Sequence, residues 1–116
     1  MGDDELTPQA LSDRLFELAR FLDGRSDFWA DRVRQAAQEV YAGRVSGAYL
    51  FLSFHGGMGS LNDLQLGPHN GNASEGEDLR SLNDQLCELD ERAYVLAAKV
   101  VRESDRLEHE VRARPG

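Results

Sequence analysis

A long alternation of apolar residues near the carboxyl end constrains this chain more than any other feature. Apolar side chains recur three and four residues apart, at Leu79, Leu82, Leu86, Leu89, Ala93, Leu96 and Val100. This spacing places them along one side of a helix, in a heptad-like seam that weakens toward Leu107 and Val111. The pattern predicts one helix from Glu77 to about Val111, roughly 50 Å long. We expect its far end, Arg102–Arg114, to be exposed, frayed or packed on a second copy.

Two earlier segments have the periodicity of amphipathic helices. The first is Pro8–Asp23, whose buried side is predicted to hold Leu11, Leu15, Leu18, Ala19 and Leu22. The second is Asp27–Ala42, with a predicted buried stripe of Trp29, Val33, Ala36, Ala37 and Val40. Thr7 and Ser26 are candidate N-caps. The short connection favours an antiparallel helical hairpin over residues 8–43, with Trp29 as a core anchor at its end.

The third segment, Ser46–Phe54, is almost continuously apolar, so periodicity alone separates helix and strand poorly. We favour a short buried helix at 46–55, because a single strand would leave its backbone groups unpaired. The fold class is therefore all-α: one domain over residues 1–116, with a helical hairpin, a short buried helix, a glycine-rich loop and a long C-terminal helix. Residues 1–6 are expected to be disordered, 67–76 a flexible loop and 112–116 a frayed tail.

The charge of this 116-residue chain, a formal −8, is unevenly distributed. Residues 1–5 hold three acids, and residues 75–91 hold seven acids against the single cation Arg80. The negative electrostatic potential of these two segments repels nucleic acid and anionic membrane surfaces. No apolar run approaches the roughly 18 residues of a membrane span, and the first residues lack the features of a signal peptide. We therefore expect a cytoplasmic protein that binds neither nucleic acid nor membranes.

The acids of the long helix are predicted to form one outward face. Glu77, Asp84, Glu88 and Glu91 fall opposite the leucine seam, and Asp90 lies close to them in sequence. Carboxylates in the first half of a helix and cations in the last half match the helix dipole, which is a sufficient structural explanation. A docking surface for a basic protein would have the same pattern, so both interpretations stay open.

A glycine-rich loop follows the third segment, with glycines at 56, 57 and 59 before Ser60. Backbone amides in such a loop can surround a phosphate, but a Walker loop needs a lysine after its last glycine, and the only lysine is Lys99. The structural interpretation is that Gly56 ends the helix and that Asn62 or Asp63 bonds to neighbouring amides. Recognition of a partner by Met58, Ser60, Asn62 and Asp63 is the other interpretation.

The residues that most often carry chemistry are scattered. His55, His69 and His109 lie far apart, without the spacing of a zinc site, and the lone Cys87 has no histidine beside it in sequence. His55 could act as a lone base with Asp63 as its neighbour. With no nucleophile motif beside it, we predict no enzymatic activity, no catalytic residues, no metal and no cofactor.

The stretch from Trp29 to Leu66 resembles a family of short uncharacterised bacterial proteins. The resemblance rests on the apolar Phe51-Leu52-Ser53-Phe54 and on Gly56-Gly57-Met58-Gly59-Ser60-Leu61-Asn62-Asp63-Leu64. It implies a small cytoplasmic helical protein and transfers no catalytic residue. Many small acidic bacterial proteins are immunity proteins that neutralise toxins, which is an analogy of size and charge.

These observations together predict a protein-binding domain, most concretely an immunity-type inhibitor of a toxin or similar enzyme with a basic surface. Asp84, Glu88, Glu91 and Asp90 would pair with cations of that partner, and the glycine-rich loop would fit a groove. One alternative is a homo-oligomeric structural or regulatory module, such as a homodimer paired along the seam beyond Ala93. The other is a binder of a small phosphorylated ligand at the glycine-rich loop.

Overall fold

Four helices make up the described part of the chain. The structure, a computed structural model, describes residues 8–56, 60, 61, 64, 66, 76 and 78–113, with side chains as far as 108. The helices are α1 (Pro8–Leu22), α2 (Asp27–Tyr41), α3 (Ser46–Ser53) and α4 (Leu79–Ala113). These residues contain no strand, so the all-α prediction is confirmed, including the helical assignment of the short apolar segment.

The hairpin of α1 and α2 forms the centre of the core. All five apolar residues predicted to face inward on α1 are buried. On α2 the buried positions are Ala30, Val33, Ala36, Ala37 and Val40. Trp29, predicted as a core anchor, is only half-buried, and its ring packs against Phe54 at 5.4 Å between centroids. The small Ala30 takes the inner position and is fully buried.

The start of α2 differs in one detail from the predicted cap. Ser26 is at the N-cap position with extended backbone angles, but its side chain makes no capping hydrogen bond. The carboxylate of Asp27 instead accepts the backbone N–H of Gly24 at 3.2 Å. An acidic side chain in the first turn of a helix is also favoured by the helix dipole.

Gly47 allows α3 to lie directly on α2. A Cβ atom at this position would be 2.6 Å from the carbonyl oxygen of Ala36 and 2.7 Å from Cγ2 of Val40. Only glycine permits so close an approach between the two helix backbones. α3 also buries Ala48 and Phe51, and it contacts α4.

The long helix α4 closes the core against α1 and α3. Leu86, Ala93 and Val100 are buried along its inner side, as the seam predicted, and Ala97, which was not in the predicted seam, is buried with them. Leu82, Leu89 and Leu96 of the seam are partly buried against the core. Leu61 and Leu66, from the segment between α3 and α4, are buried as well. This segment is attached to α4 by the side chain of Asn83, which accepts the N–H of Leu66 at 2.9 Å and donates to its carbonyl oxygen at 3.2 Å.

The length of α4 gives the molecule an elongated shape. Its principal extents are 63 × 32 × 20 Å and its Cα radius of gyration is 16.1 Å, against about 13 Å for a compact domain of 100 residues. Thr7 and the segment 1–6, expected to be disordered, lie outside the described residues, as does all but Gly76 of the segment 67–76, expected to be flexible. The helix continues to Ala113, into the tail that was expected to fray. None of the described helices has the length and apolar character that crossing a membrane requires.

Candidate functional site

The exposed side of α4 carries the acidic residues that the sequence predicted there. Asp84, Glu88 and Glu91 are all exposed, on the side opposite the buried leucines and alanines. Glu88 forms an ion pair with Arg92 one turn later, at 2.6 Å between Oε1 and Nη2. No described ion pair involves Asp84 or Glu91. Glu77, the fourth predicted member, lies outside the described residues.

The same side of α4 changes sign along its length. Beyond the acids comes Val95, which is 44% exposed, followed by the exposed cations Lys99, Arg102 and Arg106. We call the residues Asp84, Glu88, Glu91, Val95, Lys99, Arg102 and Arg106 the outer face of α4. Its acidic half lies toward the helix N-terminus and its basic half toward the C-terminus, as the helix dipole favours.

A groove runs between α1 and the outer face. It has a volume of about 640 Å³, and its lining includes Ala10 and Arg14 of α1 together with Glu91, Val95 and Lys99 of α4. Arg14 also pairs with Glu17 at 3.6 Å. The acids of α4 therefore border a groove of mixed charge. The contribution of α1 was not predicted, because helix periodicity does not tell which helix packs beside another.

Asp90 lies away from the outer face, against α3. Its carboxylate oxygens are 2.8 and 3.0 Å from Nε2 of His55, and the two side chains are only 14% and 11% exposed. The structure thus places this predicted partner-binding residue in an internal contact. The carboxylate that pairs with His55 is Asp90, whereas the sequence suggested Asp63, which lies outside the described residues.

Both ring nitrogens of His55 face acceptors. Nε2 meets the Asp90 carboxylate, and Nδ1 lies 3.1 Å from the carbonyl oxygen of Phe51. A carbonyl and a carboxylate oxygen accept hydrogen bonds, so each ring nitrogen lies against an acceptor of the protein itself. The rings of Phe51 and Tyr94 pack edge-on against it at 4.9 and 4.8 Å. His55 therefore joins the end of the third segment to α4, with both ring nitrogens turned toward acceptors of the protein.

A second polar contact joins the same two helices further along. The hydroxyl of Tyr49 on α3 donates to Oδ1 of Asp105 on α4 at 2.7 Å. This hydrogen bond raises the pKa of Tyr49 above its ordinary value, and partial burial and the negative charges of Asp105 and Glu108 act in the same direction. Neither this pair nor the His55–Asp90 pair could be predicted from the sequence, because the two members of each pair lie far apart in the chain.

Little of the glycine-rich loop is described. Met58, Asn62 and Asp63 lie outside the described residues, while Ser60 is half-buried. α3 ends at Ser53 with Phe54 as its C-cap, so the helix is two residues shorter than predicted and Gly56, expected to end it, lies beyond its end. Gly56 has φ near +90°, a conformation that favours glycine. The backbone N–H of Leu61 donates to the carbonyl oxygen of Phe54 at 2.8 Å, which returns the chain to the core.

Other candidates for chemistry are isolated in the described part of the molecule. Cys87 is exposed on the side of α4, without a described hydrogen bond or ion pair. No group of three or more histidine, cysteine, aspartate or glutamate side chains is arranged to hold a metal among these residues. The outer face of α4 is thus the candidate functional site.

Comparison with known proteins gives one match. Residues 23–75 match the model of a domain of unknown function, DUF6966. No curated protein and no solved structure matches the chain. The matched residues include α2 and α3 and end before α4 begins, so the outer face lies outside them.

Proposed function

We propose that this chain is a non-enzymatic protein-binding domain that presents the acidic half of the outer face to a basic protein. In its most concrete form it is an immunity-type inhibitor that docks on a toxin or similar enzyme and blocks the active site. The observation that carries the proposal is the alignment of Asp84, Glu88 and Glu91 on one exposed side of α4. They lie within about 10 Å along the helix axis, at 1.5 Å per residue.

The charges of this surface suit the recognition of a cationic partner. Asp84 and Glu91 have no described ion pair, and Glu88 and Arg92, which do pair, are both more than half exposed. Exposed ion pairs of this kind are weak, so Glu88 can exchange Arg92 for a cation of the partner at little cost. Aligned like charges raise the rate of encounter with an oppositely charged surface, and salt screens this effect.

The helical setting supports the same proposal. Leu86, Ala93 and Ala97 on the inner side of α4 are buried, so the backbone beneath the three acids is held by the core. A surface that is already ordered loses less conformational entropy on binding than a flexible loop does. The occupied nitrogens of His55 support a binding role over acid–base catalysis at the His55–Asp90 pair.

Co-expression with the product of the adjacent gene tests the inhibitor proposal. The readouts are rescue of growth and co-purification, with the native chain and with the triple variant Asp84→Lys/Glu88→Lys/Glu91→Lys. We expect the native chain to rescue growth and the triple variant to lose both rescue and binding. The variant Asp13→Lys/Asp23→Lys/Asp31→Lys changes the net charge equally on the α1–α2 hairpin, at residues of α1, of the turn after it and of α2, and serves as the matched control.

The control is expected to behave like the native chain. Equal binding by the native chain and the α4 triple variant would contradict docking through the acidic half. Absence of both rescue and co-purification with the native chain would contradict the inhibitor proposal itself.

A further inference from the structure

The outer face of α4 has a charge pattern that is symmetric about Val95. Glu91 and Lys99 lie four residues before and after Val95, and Glu88 and Arg102 lie seven residues before and after it. Asp84 and Arg106 form a third pair, eleven residues away on each side. At each of these distances an acid on one side corresponds to a cation on the other.

A second copy of this helix would be complementary to such a face. When two identical helices lie antiparallel and cross at Val95, each residue meets the residue at the same distance on the other side of Val95. Glu91 of one copy then meets Lys99 of the other, and each pair of residues occurs twice because of the two-fold axis. Every cross-pair is of opposite charge, and the two exposed valines meet on the axis.

The charges next to Val95, Glu91 and Lys99, take part in no described ion pair within the chain. No described ion pair involves Glu91, Lys99, Arg102 or Asp84, whereas Glu88 pairs with Arg92 and Arg106 pairs with Glu103. Glu91 and Lys99, next to the axis, are therefore the charges that gain most from a second copy. Both also line the groove between α1 and α4, which provides space beside the helix.

We propose that the outer face of α4 is the interface of an antiparallel homodimer with its two-fold axis at Val95. Its charged part spans about 33 Å of helix, at 1.5 Å per residue. One helix strip covers less area than a standard interface of about 800 Å² per partner, so the dimer is weak. Because most of its contacts are exposed ion pairs, it dissociates as salt increases.

This dimer is independent of the inhibitor proposal and adds regulation to it. The acidic half that would meet a basic partner is covered in the dimer by the basic half of the second copy. A basic partner would therefore compete with self-association, and the monomer would be the form that binds it. The oligomeric state of the chain alone can be measured without any partner.

Sedimentation velocity over a concentration series at low salt tests the dimer with two single charge reversals. Glu91→Lys gives lysine at both central positions, and Lys99→Glu gives glutamate at both. Each variant alone places like charges opposite each other twice, so its self-association should weaken by about tenfold or more. An equimolar mixture of the two variants restores opposite charges at both contacts and should form heterodimers.

Two further variants serve as controls for this experiment. The double variant Glu91→Lys/Lys99→Glu exchanges the charges within one chain and should dimerise like the native protein. Asp13→Lys, on α1 and outside the outer face, should leave self-association unchanged. Circular dichroism of each variant establishes that the exposed substitutions leave the fold intact.

Cross-linking locates the axis in a second measurement. In a Cys87→Ala background, Val95→Cys should form a disulfide-linked dimer under mild oxidation at low salt and lose it at high salt. Leu107→Cys is a matched control, because Leu107 is 49% exposed but lies on another side of α4, beside Val100. Cross-linking of the Leu107→Cys variant to the same extent would overturn the proposed register.

A native chain that stays monomeric up to millimolar concentration at low salt would overturn the dimer. Failure of the two complementary variants to associate in the mixture, while the native chain dimerises, would overturn the pairing of Glu91 with Lys99. Either result leaves the inhibitor proposal standing, because docking on a basic partner needs only the acidic half. Conversely, loss of growth rescue says nothing against self-association.

Discussion

At the scale of single residues, His55 and Asp90 form a contact between the end of the third segment and α4, and both side chains are largely shielded from solvent. From the sequence alone, only acids close to His55 in the chain can be named as its partner, and Asp63 is the one that the sequence suggests. The structure brings Asp90 to it from α4, and this contact depends on how α3 and α4 pack. No local pattern encodes that packing, so this part of the site could not be predicted.

The His55–Asp90 pair is expected to stabilise the fold. Asp90→Ala removes the acceptor of a mostly buried imidazole N–H, so we expect the free energy of unfolding to fall by about 1.5–3 kcal/mol. Urea denaturation followed by circular dichroism measures it. Asp84→Ala, an exposed acid on the same helix, should change stability by less than about 0.5 kcal/mol. Equal losses in the two variants would contradict an internal role for Asp90.

The Tyr49–Asp105 hydrogen bond predicts a pH dependence. Since the pKa of Tyr49 is raised above 10.0, first by its hydrogen bond to Asp105, the folded state binds the phenolic proton more tightly than the unfolded state. The stabilisation is complete below the unfolded pKa and is lost as pH rises through the folded pKa. Tyr49→Phe should remove this alkaline loss, measured as melting temperature against pH. Tyr41→Phe, at a 70% exposed position, should still lose stability at alkaline pH as the native chain does.

At the scale of elements, the helices could be predicted and their contacts could not. Spacing of apolar residues is a local property, and it located all four helices, including α4 with its inner seam. The inward position of Ala30 in place of Trp29 depends on how α2 packs against α1. The close contact at Gly47 likewise depends on where α3 crosses α2.

Gly47 provides the test at this scale. Gly47→Ala forces a methyl group within 3 Å of backbone and side-chain atoms of α2, so α3 must move. We expect a loss of about 1–3 kcal/mol in the free energy of unfolding, measured by urea denaturation. Gly76→Ala is the matched control, since a Cβ there meets nothing within 4 Å and φ is not positive. A neutral Gly47→Ala variant would show that α3 does not lie this close to α2.

At the scale of the whole molecule, each helix packs against two others. α1 contacts α2 and α4, and α3 contacts the same two helices, so all four share one core. The four helices are therefore expected to unfold together. The fluorescence of Trp29, which packs against Phe54, should change at the same urea concentration as the far-UV circular dichroism signal, to which α4 contributes most. Helical signal remaining after the Trp29 transition would mean that α4 is stable without α3.

Only part of the candidate site depends on how the whole molecule packs. The exposed acids Asp84, Glu88 and Glu91 could be predicted, because helix periodicity alone places them opposite the leucines. The groove beside them is also lined by Arg14 and Ala10 of α1. It could not be predicted from the sequence, because it depends on the packing of α1 beside α4. The charge symmetry about Val95 is present in the sequence, but it matters only because the structure leaves that side of α4 uncovered.

Carboxylate labelling of the complex with a basic partner tests docking through the acidic half most directly. The chain is held at a concentration where it is monomeric alone, and the reactivity of each acid is measured by mass spectrometry with and without partner. We predict that Asp84, Glu88 and Glu91 become protected, while Asp13, Asp23 and Asp31 of the α1–α2 hairpin react as before. Unchanged reactivity of the three α4 acids in a formed complex would contradict the account.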